Sequence, residues 1–256
     1  MNDFVISIRD LRKAYSGKEV LKGINIDISP GQIIGYIGPN GAGKSTTVKI
    51  LCGLINEFQG SVTIAGMDLR KDSFEIKKHL GYVPETGALY ELLTPREYLR
   101  FIGLLYEIEE STLDARISNL LSLFDMTGHA DVRMDTFSKG MKQKILISGG
   151  LINNPDVIFL DEPLSGLDAN SVILVKELLK KLASGGKTIF YCSHLMDVVE
   201  KISDRIILIN SGVVMADGTF DELRNSNAIT LEMLFAQITG RKEIDINTDI
   251  LFNEAR

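Results

Sequence analysis

The stretch GPNGAGKST, Gly38 to Thr46, follows the apolar run QIIGYI and opens onto STTVKILCGL, so a glycine-rich loop stands between a strand signal and a helix signal. Its spelling, GxxxxGK[ST], in that strand–loop–helix setting commits the chain to an α/β fold with a phosphate cradle. Gly38, Gly41 and Gly43 let successive N–H groups converge on phosphate oxygens, and the helix N-terminus adds its partial positive charge. On this reading Pro39, Asn40 and Ala42 complete the loop, and Lys44 reaches the β- and γ-phosphates. Ser45 places its hydroxyl on Mg²⁺, and Thr46 makes a further phosphate contact. The alternative is a glycine-rich turn before a helix with no ligand at all.

The rest of the pattern supplies a sheet for that loop. FVISI (4–8), INIDI (24–28), QIIGYI (32–37) and SVTIAG (61–66) read as strands and turns. From Pro95 the pattern turns helical: PREYLRFIGLLY begins on a first-turn proline, and Leu113, Ile117, Leu120, Leu121 and Phe124 form a helical stripe. This block runs to about residue 154. The short apolar runs VIFL (157–160), TIFYC (188–192) and RIILI (205–209) then alternate with helical segments, as in a buried parallel sheet. NSGVVMADG reads as a hairpin and TLEMLFAQITG as a last helix, with a polar tail from Arg241.

VIFLDEP ends an apolar run on Asp161 and Glu162, at the sheet edge where open α/β folds bind ligands. Asp161 is suited to holding Mg²⁺ through its water shell, and Glu162 to orienting or deprotonating the water that attacks a γ-phosphate. His194, after TIFYC, can donate to the same phosphate or serve a structural role. The formal net charge is −6, which argues against a broad nucleic-acid surface and requires phosphate to be held by local groups. Cys52 and Cys192 sit in apolar stretches without metal-ligand spacing, and so read as small buried hydrophobes in a reducing compartment, the cytoplasm. No apolar run reaches the length of a membrane span, and MNDFVISIRD lacks the order of a signal peptide; any span is expected on another chain.

DTFSKGMKQK, at 135–144, then separates the phosphate-loop families. FSKGM resembles the signature sequence of ABC-type ATPases, and its place just ahead of Asp161 agrees. Tyr15 upstream of the loop, GYVPETGALYELLT at the glutamine-loop position, SGLD at 165–168 and His194 at the switch position fall in the family's order. The resemblance covers about residues 4–222. It implies an α/β P-loop NTPase of ABC type, with a mixed or parallel sheet core, an N-terminal antiparallel β part and an inserted helical subdomain at about 95–154. The implied ATPase domain is 1–222, followed by a C-terminal helix and polar tail at 223–256.

The resemblance further implies ATP and Mg²⁺ as ligands and a head-to-tail homodimer. In it Ser138 and Gly140 of one subunit meet the γ-phosphate held by the other's cradle. Tyr15 would stack on adenine, or stand as an ordinary tyrosine; Asp168 would couple the two sites, and the glutamine-loop region would signal to an integral membrane permease. Glu85 stands where most members carry glutamine, which places a carboxylate near the metal and the water. Lys139 replaces the first signature glycine and either adds a cation near the partner's phosphate or points to solvent, and Met141 replaces a glutamine. YVPE and SKGM are similar to separate-chain ATPases of drug, sodium and polysaccharide exporters. The expected function is therefore the ATP-hydrolysing subunit of an exporter, peripheral at the inner face of the membrane. Two alternatives stand beside it, a non-transport ABC ATPase acting on a macromolecular complex and a nucleotide-gated module or small-molecule kinase.

Overall fold

The computed structural model describes residues 5–85, 89–224 and 230–239. The chain begins with a long antiparallel pair, β1 (Ile6–Tyr15) and β2 (Lys18–Ile28), and passes through β3 (Ile33–Ile37) into α1 (Lys44–Leu51). β4 (Gln59–Ile64) and β5 (Met67–Asp68) return to the first pair, giving a four-stranded sheet in the order β2-β1-β4-β5. Then come α2 (Ser73–Lys78), β6 (Leu80–Val83) and the helical block α3 (Pro95–Leu105), α4 (Glu110–Leu123) and α5 (Lys139–Leu151). The C-terminal half alternates β7 (Val157–Asp161), α6 (Ala169–Ser184), β8 (Thr188–Cys192), α7 (Met196–Ile202), β9 (Arg205–Asn210) and β10 (Val213–Gly218), and closes with α8 (Phe220–Leu223) and α9 (Leu231–Thr239).

The second sheet has six strands in the order β10-β9-β3-β8-β7-β6, parallel except for the β9–β10 hairpin. Its central strands β3, β7 and β8 are buried at every position. The strand period of two divides their side chains between two cores. Ile34, Tyr36, Val157, Phe159 and Phe190 face the four-stranded sheet and α1, whereas Ile33, Ile37, Ile158, Leu160 and Tyr191 face the helices. Continuous apolar runs follow from having both faces covered.

Local signals set the helix starts. Thr94 caps α3 in a reciprocal box with Glu97, and Pro95 takes the first turn, where its missing N–H costs nothing. Leu113, Ile117 and Leu121 of α4 point inward with Phe124, while Leu120 is only partly buried. The expected strands, hairpin, helical insertion and last helix are all present. Four elements were not anticipated: β5, α2, β6 and α8. β6 reads poorly because LGYV is short and carries a glycine.

That glycine seats the helical insertion on the sheet. A Cβ on Gly81 would lie 2.1 Å from the Gly150 carbonyl oxygen of α5, and one on Gly150 would lie 2.7 Å from Val83 Cγ2. Helix and strand thus touch backbone to backbone. At the other end, α9 packs on α7, and Leu231, Leu234 and Phe235 join the helix-side core. The Leu231 N–H donates to Glu200 Oε2 at 2.9 Å, so this helix is built into the domain. The polar tail from Arg241 lies outside the described residues.

Gly81→Ala is expected to push α5 off β6 and to destabilise the protein by about 1–3 kcal/mol, the usual cost of overpacking a tight contact. The measurement is the midpoint of urea unfolding at constant slope. An unchanged midpoint would show that the backbone contact is not tight in solution.

Candidate functional site

Register brings the site together. Across the sheet Tyr36 pairs with Cys192, and Cys192 with Asp161, so β3, β8 and β7 end at one level; Val83 of β6 pairs with Leu160 next to them. The cradle, His194, Asp161 with Glu162, and Glu85 therefore issue from the carboxyl ends of four adjacent parallel strands. A cavity of about 930 Å³ lies there, lined by Asn40, Gly41, Gly43 to Thr46, Glu85, Asp161, Glu162 and His194, with Lys18, Lys22 and Ser211 on its rim.

The cradle is braced from behind. Gly43 adopts φ 110°, and a Cβ there would lie 2.6 Å from Leu21 Cδ2; a Cβ on Gly38 would lie 2.2 Å from the Ile209 carbonyl oxygen. The Gly212 N–H donates to the Ala42 carbonyl at 3.0 Å, tying the loop to the β9–β10 turn. Thr47 donates to the Gly43 carbonyl at 3.0 Å and lies 3.2 Å from the Tyr36 hydroxyl. Lys44 folds back over the loop, donating to the Gly38 and Pro39 carbonyls at 2.6 and 3.2 Å. It makes no direct ion pair among the described residues, so its ammonium group is hydrogen-bonded by loop carbonyls at the cavity.

Asp161 is 4% exposed. Burial pushes its carboxyl above the usual range; the Ser45 hydroxyl opposes that shift, Glu85 and Glu162 add to it, and Lys44 opposes it. A buried carboxylate beside two others and a serine hydroxyl is an arrangement that a bound cation relieves. Among the described residues no three His, Cys, Asp or Glu side chains could hold a metal by themselves. The Asp161 carboxylate and the Ser45 hydroxyl are oxygen donors that fit Mg²⁺, which needs only one or two protein ligands when phosphates and water complete its shell.

Glu162 departs from the strand at φ 50°, a left-handed conformation that costs a side-chain-bearing residue about 1–2 kcal/mol. The turn is held by its N–H, which donates to the Cys192 carbonyl at 2.9 Å. It aims the carboxylate at the loop after β8. There Oε1 accepts from the His194 N–H at 2.8 Å and lies 2.7 Å from His194 Nδ1, while Oε2 accepts from the Ser193 hydroxyl at 2.9 Å. Ser193 was not singled out from the sequence; its signal was its place directly before His194 in YCSH. Lys18 and Lys22 were missed too, and their signal is positive charge on the strand facing the loop.

The remaining expected residues lie outside the cavity. Tyr15 is 44% exposed at the β1–β2 turn, with Lys13 Nζ 4.9 Å from its ring centre. Ser138 caps α5, accepting from the Met141 N–H at 3.3 Å, and Gly140 packs against the Gly166 carbonyl oxygen, which a Cβ would approach to 2.6 Å. Asp168 caps α6, accepting from the Ser171 N–H and hydroxyl at 2.9 and 2.7 Å, bonds that lower its pKa. Lys139 is exposed, and its Nζ donates to Ser165 Oγ of its own subunit at 2.7 Å.

Comparison with known proteins agrees with this geometry. The family described as "ABC transporter" matches residues 21–165. The chain is 36% identical over 219 residues to the linearmycin resistance ATP-binding protein of Bacillus subtilis (strain 168), covering 86% of this chain and 70% of that protein. It is 32% identical to the Nod factor export ATP-binding protein I of Cupriavidus metallidurans, covering 87% and 73% of the two. Among solved structures, a dimeric ATP-binding cassette in a post-hydrolysis state with ADP and Pi superimposes with a TM-score of 0.78. It is 26% identical, covering 86% of this chain and 99% of that one.

Because the folded Asp161 carboxyl is raised, its stability contribution is complete below the ordinary carboxylate pKa and is lost as pH rises through the folded value. Asp161→Asn should therefore raise the thermal midpoint of the nucleotide-free protein at pH 7. That advantage should shrink as pH falls into the carboxylate range. A lower midpoint at pH 7 would mean that the Ser45 contact outweighs burial.

Proposed function

This chain belongs to the ABC transporter family as an ATP-hydrolysing, ATP-binding subunit, and we propose that two copies, head to tail, energise a separate membrane permease in export. The observation that carries the dimer is a separation. Cradle, Asp161, Glu162, Glu85 and His194 share one cavity, whereas Ser138, which caps α5, and Gly140 in its first turn lie outside it. A second copy can bring its α5 N-terminus, with unspent N–H groups and a positive partial charge, to the open side of the first copy's cradle. The cassette similar to this chain that is described as a dimer supports that arrangement.

In this reading Gly38 to Thr46 and Lys44 hold the triphosphate of ATP, and Tyr15, exposed at the adjoining turn, stacks on the base. Ser45 and Asp161, with Glu85 near, would hold Mg²⁺, which would supply neutralisation of the phosphate charge. Glu162 positions the attacking water and accepts its proton. His194, whose imidazole already lies against that carboxylate, steers it and donates toward the γ-phosphate. Asp168 stands at the head of α6 on the strand-to-helix segment that follows Glu162, and we assign it to contact between the two sites.

A permease finds its seat beside the same cavity. A groove of about 490 Å³ opens between α2, β6 and α3, lined by Leu54, Phe74, Tyr82, Pro84, Ile102 and Leu105 among others. Leu54, Phe74 and Leu105 are more than half exposed. An apolar trough of that kind accepts the apolar face of a helix, and Pro84 borders Glu85, so occupancy is felt at the catalytic carboxylates. No helix among the described residues is long and apolar enough to cross a membrane, which supports a span on a separate chain. The relative named for Nod factor export supports the direction, with the chain seated at the cytoplasmic face.

Glu162→Gln should bind ATP, hydrolyse it at least about 100-fold more slowly and accumulate as a dimer on size-exclusion chromatography. Wild-type turnover would remove Glu162 from the catalytic role. For the permease, protein recovered from solubilised membranes should carry a polytopic chain. Leu105→Asp should lose that chain while its ATP affinity stays unchanged. A ribosomal or DNA-associated partner in its place would overturn the transport reading.

A further inference from the structure

The signature turn carries a lysine where a glycine would leave the helix start bare, and that lysine has a definite partner. Lys139 Nζ donates to Ser165 Oγ at 2.7 Å, and its stem lies over Gly166, where a Cβ would fall 2.9 Å from Lys139 Cγ and Cδ. Gly166 sits at φ 80°, and the Gly140 backbone meets its carbonyl. One turn further along α5, buried Gln143 donates to the Pro163 carbonyl at 3.0 Å. The first turns of α5 are thus fastened at three successive points to the segment 163–166. That segment starts directly after Glu162, whose carbonyl accepts from the Ser165 N–H at 3.2 Å.

From this geometry we infer that Lys139 is a positioning residue: through Ser165 it locks the signature turn of a subunit to the strand-end segment that carries the same subunit's Glu162. The inference rests on the head-to-tail reading, in which the signature turn serves the partner's nucleotide while Glu162 serves its own. The latch therefore joins the two hydrolytic sites. When ATP of the partner site draws the signature turn in, residues 163–166 follow, and Glu162 is shifted relative to Ser193 and His194. Glycine at position 139 would leave only the Gly140 approach and the Gln143 bond.

The bond does not touch nucleotide in its own subunit, so its loss should appear in turnover and in cooperativity. Lys139→Met and Ser165→Ala should each lower kcat for ATP by about three- to tenfold and bring the Hill coefficient toward one. ATP affinity of the Glu162→Gln background should stay unchanged. The double variant should be no slower than either single one, because both remove the same bond. Lys139→Arg, which can still reach Ser165, should restore both measures. A Ser165→Ala protein with normal turnover beside a slow Lys139→Met protein would overturn the latch and assign Lys139 to the partner's phosphate; additive losses would overturn it as well. Failure of Glu162→Gln to dimerise with ATP would sink the head-to-tail reading and the cross-site role with it, whereas dimerisation with additive losses sinks the latch alone.

Discussion

Parallel hydrogen bonding of β3, β8, β7 and β6 in matched register is the constraint on which the rest depends. Tyr36, Cys192 and Asp161 lie in one row across three strands, and each strand is followed within two residues by a group of the site. A slip of one residue in any pairing would move a loop by about 3.3 Å and turn its side chains to the other face. Both cores oppose such a slip, because every residue of the central strands is buried on one side or the other. Site precision is therefore inherited from packing far from the ligand.

Electrostatics then follows from where those strands end. The chain is acidic as a whole, yet Lys18, Lys22 and Lys44 line one cavity with the N-terminus of α1. Opposite them stand Glu85, Asp161 and Glu162. Glu19 lies among the lysines, so the cavity is cationic on balance toward the cradle and anionic toward β6 and β7, which suits a phosphate on one side and a cation and water on the other.

Much of this was legible in the sequence because local and global preferences agree there. GPNGAGKST needs φ > 0 at Gly41 and Gly43, and both adopt it; the TPREY start carries its own cap and proline. Strand β6 was hidden because Gly81 serves a helix that arrives from far along the chain, and nothing in LGYV announces Gly150. The reach of Lys139 was equally invisible, since Ser165 lies 26 residues away and only the folded approach of α5 to Gly166 brings the two together. The cap at Asp168 is local, since its carboxylate accepts from Ser171 three residues on, and that offset is visible in the sequence. Sequence pattern reports what a residue does to its neighbours in the chain, and these residues act on neighbours in space.

The stretch from Asp161 to Asp168 has a consequence for how this protein can change over time. It holds a metal-side carboxylate, a water-side carboxylate in a left-handed turn, a serine gripped by a lysine, a glycine pressed by a helix, and a helix cap. They are anchored to the cradle, the loop after β8, α5 and α6, so the segment has no slack. Insertion or deletion of a single residue there would break several anchorages at once, while point changes could be absorbed singly.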